Sequence, residues 1–245
     1  MPQAGLISQY QFLSFDGGAY SNQGRNLKTW WNFEDFLGGW NFFPGMWFVG
    51  LVGTGTSVTD IAGTALRPGL AFFSTGTTAT GRATIYAYSN NTQGVLFGSG
   101  EYTFETDVYI PTLSTVGDEY AIQLGFGDTS GPDAIDGAYF KYDRLAAGVN
   151  WRLKTSSNSA RTDTDSTIAV AAGAWTRLKI IVNASATLVS FYINGVLAGT
   201  VSTNIPSGAG RETGLLCQIL KSAGLNPLTF YMDWVWVHIN LNTSR

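Results

Sequence analysis

The stretch Ala174–Val201, with the sequence AWTRLKIIVNASATLVSFYINGVLAGTV, decides the fold. In Trp175–Val182 and again in Leu188–Ile193, apolar residues occupy every second position, and a period of two is typical of β-strands. The pair Asn194 and Gly195 follows, and these residue types most readily adopt the positive φ angles of a type I′ turn. The stretch therefore predicts an antiparallel meander with one apolar face.

The rest of the chain supplies strands that can cover this apolar face. A sheet with one apolar face needs a second layer against it, and no segment of the sequence has a convincing helical period. Residues 53–64 are rich in Gly, Thr and Ser and are predicted to form a turn region. The predicted fold class is all-β, a two-sheet antiparallel sandwich whose last strand is central, because that strand is apolar on both faces. Further strands are predicted over residues 69–75, 82–88, 102–110, 120–126, 138–142, 150–155, 167–170, 215–220 and 228–239.

The composition excludes several classes of protein. The 245-residue chain has a net charge of −3, which provides no basic field for nucleic acid. It has no continuous apolar run of about 18 residues, so we expect no membrane insertion. The single cysteine, Cys217, cannot form an intramolecular disulfide, and the start of the sequence lacks a secretory signal pattern. We therefore expect synthesis in a reducing cytoplasm.

Two units are expected along the chain. Residues 1–29 are polar, Gly-rich and weakly patterned, and we interpret them as an extended N-terminal arm that is ordered only against something else. Residues 30–245 form the sandwich, with an aromatic-rich leading segment over residues 30–52. We expect this segment to pack on the sandwich or on a neighbouring subunit, and the alternative is a stacking platform for sugar rings. The expected assembly residues are Trp30, Trp31, Phe33, Trp40 and Trp47.

Two motifs carry a resemblance to a known superfamily. The first is W..L.I.V followed by V.FYINGV..GTV within residues 175–201, and the second is MDWVW over residues 232–236. Together they resemble the concanavalin A-like lectin/glucanase superfamily, and look most like the laminin G-type sandwiches of bacteriophage virion proteins, over residues 33–241. The resemblance implies a jelly-roll sandwich. It does not fix the function, because this fold hosts lectins, glycoside hydrolases, lyases and purely structural modules.

One predicted strand carries a pair of acids that matches part of the glucanase motif. Glu105 and Asp107 stand at positions i and i+2, so their side chains point to one face with Cα atoms about 6.6 Å apart, a spacing that suits a retaining glycosidase. In the related glucanases a second Glu acts as the acid/base, and that position falls here on Tyr109 or Ile110. Since the general acid is missing, we expect no catalytic residues and no enzyme activity, and we interpret the pair as a polar strand face.

The loop DTSGPDAIDG, residues 128–137, contains three carboxylates, Asp128, Asp133 and Asp136. Calcium favours clusters of oxygen ligands on flexible loops, and the laminin G-type resemblance implies calcium at a sheet rim. A calcium site at these three residues is therefore one interpretation, and a plain turn is the other, because Asp and Gly are also common turn residues. No other cofactor is expected. The similar run Arg161–Asp165 is typical of a solvated hairpin edge.

A lectin needs aromatic faces and a few polar groups at the rim or on the face of a sheet. Each candidate also has an ordinary packing explanation. The carbohydrate-binding candidates are Tyr109, Tyr139, Trp151, Arg152 and Trp175.

The function that the sequence favours is that of a non-catalytic bacteriophage virion protein. It would be a capsid decoration protein, a fibre or a tail adhesin that exposes its sandwich at the particle surface. The expected partners are other virion proteins and the chain itself, as a homotrimer, and the expected location is the virion after synthesis in the host cytoplasm. The alternative is a glycan-binding, lectin-like module for host attachment, with a host surface glycan as partner. A glycoside hydrolase or lyase is a third interpretation.

Overall fold

Strands make up nearly all of the regular structure in the residues that the structure describes. A computed structural model describes residues 29–36, 48–87, 94–144 and 148–243, and for residues 30–34 it describes the backbone alone. Fifteen strands form two layers in which all strand pairs are antiparallel. The predicted all-β jelly-roll sandwich is confirmed. Over these residues the structure contains no helix long and apolar enough to cross a membrane.

Most strand bounds lie within about two or three residues of the predicted ones, but one strand begins at Ala160, seven residues before the strand predicted over 167–170. The strands are β1 (Thr29–Glu34), β2 (Phe48–Val52), β3 (Ser57–Thr64), β4 (Arg67–Ser74), β5 (Arg82–Ala87), β6 (Gly100–Tyr109), β7 (Glu119–Gly127), β8 (Gly137–Asp143), β9 (Asn150–Ser157), β10 (Ala160–Ala169), β11 (Trp175–Val182), β12 (Val189–Ile193), β13 (Val196–Val201), β14 (Gly214–Ala223) and β15 (Thr229–Leu241).

The two layers are an eight-stranded sheet, sheet A, and a seven-stranded sheet, sheet B. Sheet A has the order β13-β12-β11-β6-β15-β4-β3, and β1 also pairs with β15. Sheet B has the order β10-β9-β8-β7-β14-β5-β2. The 13-residue strand β15 is long enough for β4 and β1 to pair with successive parts of one of its edges, while β6 pairs with the other edge. The expectation of a central last strand is therefore correct.

The core lies between the inward faces of the two sheets. On β6 the buried residues Tyr102, Phe104 and Val108 alternate with side chains that point away from sheet B. Phe104 packs against Phe126 of β7 with ring centroids 6.1 Å apart, in an edge-to-face arrangement. Burying one such ring contributes about 1.5–3 kcal/mol, so contacts of this kind hold the layers together.

The meander of β11, β12 and β13 forms one side of sheet A, and its turn has the predicted geometry. Asn194 and Gly195 have φ angles of 52° and 80°, as a type I′ turn requires. The side-chain oxygen of Asn194 also accepts a hydrogen bond from the backbone N–H of Arg177 at 2.9 Å. The backbone N–H of Asn194 donates to the Arg177 carbonyl at 2.8 Å. The turn is therefore tied to the start of β11.

Of two segments at the sheet edges, one differs from the prediction made from sequence and the other agrees with it. The predicted turn region over residues 53–64 is wrong from Ser57 onward, since Ser57–Thr64 forms β3 at the edge of sheet A. Most of β3 is exposed, so it lacks the buried alternation that identifies a strand, and its pairing with β4 is what makes it one. The run Arg161–Asp165 lies on β10 at the edge of sheet B, as predicted. Most of the expected N-terminal arm, residues 1–28, falls outside the described residues.

The packing of β14 predicts that Cys217 is chemically silent in the folded protein. The side chain is fully buried, and burial raises the pKa of its thiol. Because the thiolate is the reactive form, we expect iodoacetamide to leave the native protein unlabelled while the guanidinium-unfolded protein is labelled completely, as measured by mass spectrometry. Labelling of the native protein at the unfolded rate would contradict this packing.

Candidate functional site

The outward face of sheet A carries a row of four aromatic rings. Residues at positions i and i+2 of a strand share a face, and the register aligns Trp175 of β11, Tyr109 of β6, Tyr231 of β15 and Phe72 of β4 side by side. Successive ring centroids in this order are 5.5, 5.9 and 5.2 Å apart. All four rings are partly exposed, so together they form an aromatic surface open to solvent.

The next row along the strands combines a cation, a carboxylate and an indole. Arg177 of β11, Asp107 of β6 and Trp234 of β15 are paired in register. The Nε atom of Arg177 lies 3.0 Å from Oδ1 of Asp107. Its guanidinium carbon lies 5.3 Å from the ring centroid of Trp234, within range of a cation–π contact.

The third row repeats this chemistry two residues further along each strand. Lys179, Glu105 and Trp236 are paired in register. The Nζ atom of Lys179 lies 3.2 Å from Oε2 of Glu105 and 6.0 Å from the ring centroid of Trp236. His238 stacks on Trp236 with ring centroids 5.6 Å apart. The outward face is thus ordered by strand register, and its second and third rows each add a cation, a carboxylate and an indole.

Arg67, the first residue of β4, links the aromatic row to the charged rows. Its guanidinium lies 4.0 Å above the Trp175 ring and contacts Oδ2 of Asp107 at 3.1 Å through both terminal nitrogens. It also donates to Asp233. Asp233 is the extra residue of a register shift in β15, between Met232 and Trp234. Such a bulge redirects a side chain that regular pairing would place elsewhere, and here it places a carboxylate beside Arg67.

Asp107 is the centre of this ion network. Its side chain is only 5% exposed, and two arginines neutralise it. The hydrogen bond to Asp107 raises the pKa of Arg177. Burial raises the pKa of Asp233, and the nearby Asp107 carboxylate adds to that effect against the attraction of Arg67.

A cleft of about 660 Å³ opens over these groups. The aromatic floor is Trp175, and the Asn194-Gly195 turn and Tyr192 are also among its lining residues. The Arg177 side chain is 50% exposed and is the most accessible cation of the network. The remaining charged lining residues are Arg67, Glu105, Asp107 and Lys179.

The structure separates the five carbohydrate-binding candidates. Tyr109 and Trp175 lie together in the aromatic row. Tyr139 and Trp151 are fully buried, so neither ring can meet a sugar in this conformation. Arg152 lies on sheet B, where it pairs with Asp163 at 2.7 Å and with Asp165. The burial of Tyr139 and Trp151 argues against these two candidates, and Arg152 lies on a different sheet from Tyr109 and Trp175.

Several site residues were missed by the sequence reading. The sequence could have indicated Arg177 and Lys179, because they alternate with buried residues on β11 and must share its outward face. Arg67 and Asp233 had none, since they lie 166 positions apart and meet only through the pairing of β4 with β15.

The loop with the expected calcium ligands is held instead by lysines. Oδ1 of Asp133 lies 2.9 Å from Nζ of Lys154 and 3.3 Å from Nζ of Lys141, and it accepts a hydrogen bond from Tyr139 at 3.0 Å. Burial by itself raises the pKa of Asp133, but the hydrogen bond and charge of the two lysines outweigh it, so the net shift is downward. Two ammonium groups therefore occupy the position that a metal cation would need.

The other two aspartates of this loop also have protein partners. Oδ1 of Asp128 accepts the Ile135 N–H at 2.9 Å, and Asp136 accepts the Asn158 N–H at 2.8 Å and pairs with Arg211 at 3.2 Å. Within the described ranges no group of three His, Cys, Asp or Glu residues is placed to hold a metal ion. The loop is a structural cover on sheet B, and the three carboxylates do not converge as the calcium interpretation requires.

The expected assembly residues are only partly visible. Trp30, Trp31 and Phe33 belong to β1, whose backbone pairs with β15, so this part of the aromatic segment is a strand of sheet A. Trp40 and Trp47 fall outside the described residues. Their role in assembly stays a prediction.

Comparison with known families gives one match. A family model described as the SO2946-like C-terminal domain matches residues 66–233. This span includes Arg67, Asp107, Trp175 and Asp233 of the outward face. No curated protein sequence matches the chain.

Solved structures share the fold at low sequence identity. A protein of unknown function, SO2946 from Shewanella oneidensis MR-1, has a TM-score of 0.65 and 12% identity, over 100% of this chain and 97% of that one. The carbohydrate recognition domain of Emp47p has a TM-score of 0.57 and 11% identity, over 87% and 95%. Domain 4 of AbnA, an extracellular arabinanase of family GH43 from Geobacillus stearothermophilus in complex with arabinotriose, has a TM-score of 0.50 and 16% identity, over 80% and 82%. The chain thus has the fold of lectin-like, jelly-roll domains.

The ion network predicts unequal costs for two similar substitutions on β6. Asp107→Asn leaves two arginines without their shared buried carboxylate and is expected to lower the free energy of unfolding by about 1–3 kcal/mol. Glu105→Gln, the matched control on the same face, removes a more exposed pair with Lys179 and should cost less than about 1 kcal/mol. Urea unfolding of both variants measures the difference. Equal losses would show that Asp107 is not the centre of the network.

The lysine-held loop predicts that the fold is independent of calcium. A metal that binds the native state raises its unfolding temperature. We expect the thermal unfolding midpoint to be the same with excess calcium and with EDTA. A calcium-dependent rise that Asp133→Asn abolishes would restore the calcium interpretation.

Proposed function

We propose that the chain, which belongs to the family of SO2946-like C-terminal domains, is a non-catalytic carbohydrate-binding module. Its binding site would be the cleft on the outward face of sheet A. The observation that carries the proposal is the partly exposed aromatic row, whose Trp175 lines the cleft, beside an array of charged hydrogen-bonding groups.

Sugar recognition needs both kinds of group. The C–H faces of a pyranose or furanose pack on an aromatic ring, while its hydroxyls exchange hydrogen bonds with polar side chains fixed in place. Trp175 offers a partly exposed ring at the cleft, next to the Arg67 guanidinium. Arg177 in the next row and Glu105 in the row after it also line the cleft, and ion pairs set their orientation, so little side-chain freedom would be lost on binding.

The charge balance of the site favours neutral sugars. The cations Arg67, Arg177 and Lys179 face the anions Asp107, Glu105 and Asp233, which gives three charges of each sign. No excess charge is left to attract an acidic or a basic ligand. Neutral oligosaccharides are therefore the proposed ligand class.

The absence of catalysis is part of the proposal, and the state of the two acids supports it. Asp107 is held by two arginines and Glu105 by Lys179. The position of the glucanase acid/base falls on Tyr109 or on the buried Ile110. A two-carboxylate mechanism needs one group that can donate a proton and another that can attack. Here both carboxylates are held in ion pairs with cations of the protein.

The fold shared with two carbohydrate-binding relatives agrees with this proposal. The Emp47p domain is a carbohydrate recognition domain, and the AbnA domain was solved with arabinotriose. The bacteriophage virion role, the homotrimer and the host-cytoplasmic origin expected from the sequence rest on the sequence resemblance alone, and they stay predictions.

Truncation of the aromatic floor tests the proposal. We expect Trp175→Ala to weaken saccharide binding by roughly 5- to 30-fold, the loss of one aromatic stacking contact of about 1–2 kcal/mol. The matched control is Phe48→Ala, which removes an exposed ring from the edge of sheet B. Calorimetric titration with a panel of neutral oligosaccharides that includes arabinotriose measures the affinities.

Two outcomes would contradict the proposal. One is that the wild-type protein shows no saturable binding, either to the oligosaccharides of the panel or to a broad glycan array. The other is release of reducing sugar from a polysaccharide by the wild type but not by Glu105→Gln, which would make the protein a hydrolase.

A further inference from the structure

The outward face of sheet B contains a second cavity, on the opposite side of the molecule from the cleft of sheet A. It lies over the strand ends near β2, and its volume is about 650 Å³. Its floor is one transverse row of the sheet, set by strand register. The row consists of Asp143, Ala121, Leu220, Arg82 and Val52, on β8, β7, β14, β5 and β2.

The charged groups that line this cavity do not balance. Lys141 and Asp143 pair with each other at 3.0 Å, and Lys141 is also satisfied by the Pro132 carbonyl and by Asp133. Arg82 and Lys221 have no ion pair among the residues that the structure describes. The cavity therefore has two cations that are not held in an ion pair with any described carboxylate, and Asp118 is the anion whose charge acts on Lys221.

Arg82 is the less satisfied of the two. Its Nη1 atom donates to the Ser130 carbonyl, while its Nε atom is buried without a hydrogen-bond partner. A buried donor without an acceptor is costly. Asp128 lines a neighbouring cavity together with Arg82, but its Oδ1 atom accepts the Ile135 N–H and it forms no ion pair with the arginine.

Lys221 lies in the same wall. Its side chain is buried, and its Nζ atom donates to the Gly76 carbonyl at 2.6 Å. Burial lowers the pKa of this ammonium group, against the attraction of the Asp118 carboxylate. A negative ligand in the cavity would relieve both residues.

The remaining lining is apolar. Val52, Leu220 and Pro132 supply aliphatic surface beside the guanidinium. Val52 lies on the edge strand β2 and is 45% exposed. The cavity thus offers a cationic end and an apolar wall, a combination that suits a ligand with a charged head and a short hydrocarbon body.

We propose that this cavity binds a small amphipathic carboxylate, with Arg82 as the residue that holds the carboxylate group. The guanidinium fork matches a carboxylate in geometry and forms charge-assisted hydrogen bonds to it. The Nε–H donor has no acceptor among the described residues, and a carboxylate bound against the guanidinium would supply one. The hydrocarbon part lies along Val52 and Leu220. The site is independent of saccharide binding on sheet A.

Titration with hexanoate tests the proposal, with hexan-1-ol as the uncharged ligand of the same chain length. We expect saturable binding of hexanoate that is at least about tenfold tighter than that of hexan-1-ol, because the alcohol lacks the charge-assisted hydrogen bonds. Arg82→Gln should weaken hexanoate binding by about tenfold or more. Arg161→Gln, at the exposed edge of sheet B, is the matched control and should leave it unchanged.

A measurement on the wild-type protein keeps the test independent of the folding of the variant. The Nε–H signal of Arg82 in a nitrogen-15 NMR spectrum should shift with hexanoate along a saturable curve and stay fixed with hexan-1-ol. The proposal is overturned if that signal does not respond, if both ligands bind equally, or if Arg82→Gln binds hexanoate as the wild type does.

Discussion

The register of β6 between β11 and β15 is the constraint on which the fold and the candidate site both depend. Because side chains alternate along a strand, one register places Phe104 in the core and Glu105 and Asp107 on the outward face. A shift of one residue would exchange these faces and bury the two carboxylates among aromatic rings. The large apolar surface of the core fixes the register, and the polar face follows from it.

The outward face of sheet A then acquires its chemistry from three neighbouring strands. Each strand contributes one kind of group to a row, so cations of β11, carboxylates of β6 and indoles of β15 meet without any of them being close in sequence. Arg67 and Asp233 complete the array from β4 and from the bulge of β15. The result is a rigid and electrically neutral surface beside exposed rings, which is a suitable surface for an uncharged, hydroxyl-rich ligand.

The outward face of sheet B differs from that of sheet A because a loop covers much of it. The loop over residues 128–137 folds back across the sheet, where Gln218 donates to Gln123 at 2.7 Å and to the Gly131 carbonyl at 2.9 Å. Lysines on β8 and β9 neutralise Asp133 of this loop. The loop thereby covers most of the polar row beneath it, while the region around Arg82 keeps a cavity and an uncompensated charge. The two outward faces of one sandwich therefore offer different chemistry.

The sequence by itself determined the elements and their faces. The period of two over Trp175–Val182, the Asn194-Gly195 turn and the alternation along β6 are local patterns, and each depends on interactions between residues that are close in the chain. These patterns were sufficient for the all-β sandwich and for the outward position of Glu105 and Asp107. An exposed edge strand such as β3 lacks the pattern, which is why its residues were interpreted as a turn.

Only the tertiary structure decided which polar residues meet. Trp151 and Trp175 look equivalent in sequence, yet one is enclosed between the sheets and the other lies on the outward face under Arg67. Asp133 looks like a calcium ligand until lysines of two other strands are brought against it. The physical reason is that strand order and register join segments far apart in the chain, and a charge or a ring acquires its role from those distant neighbours.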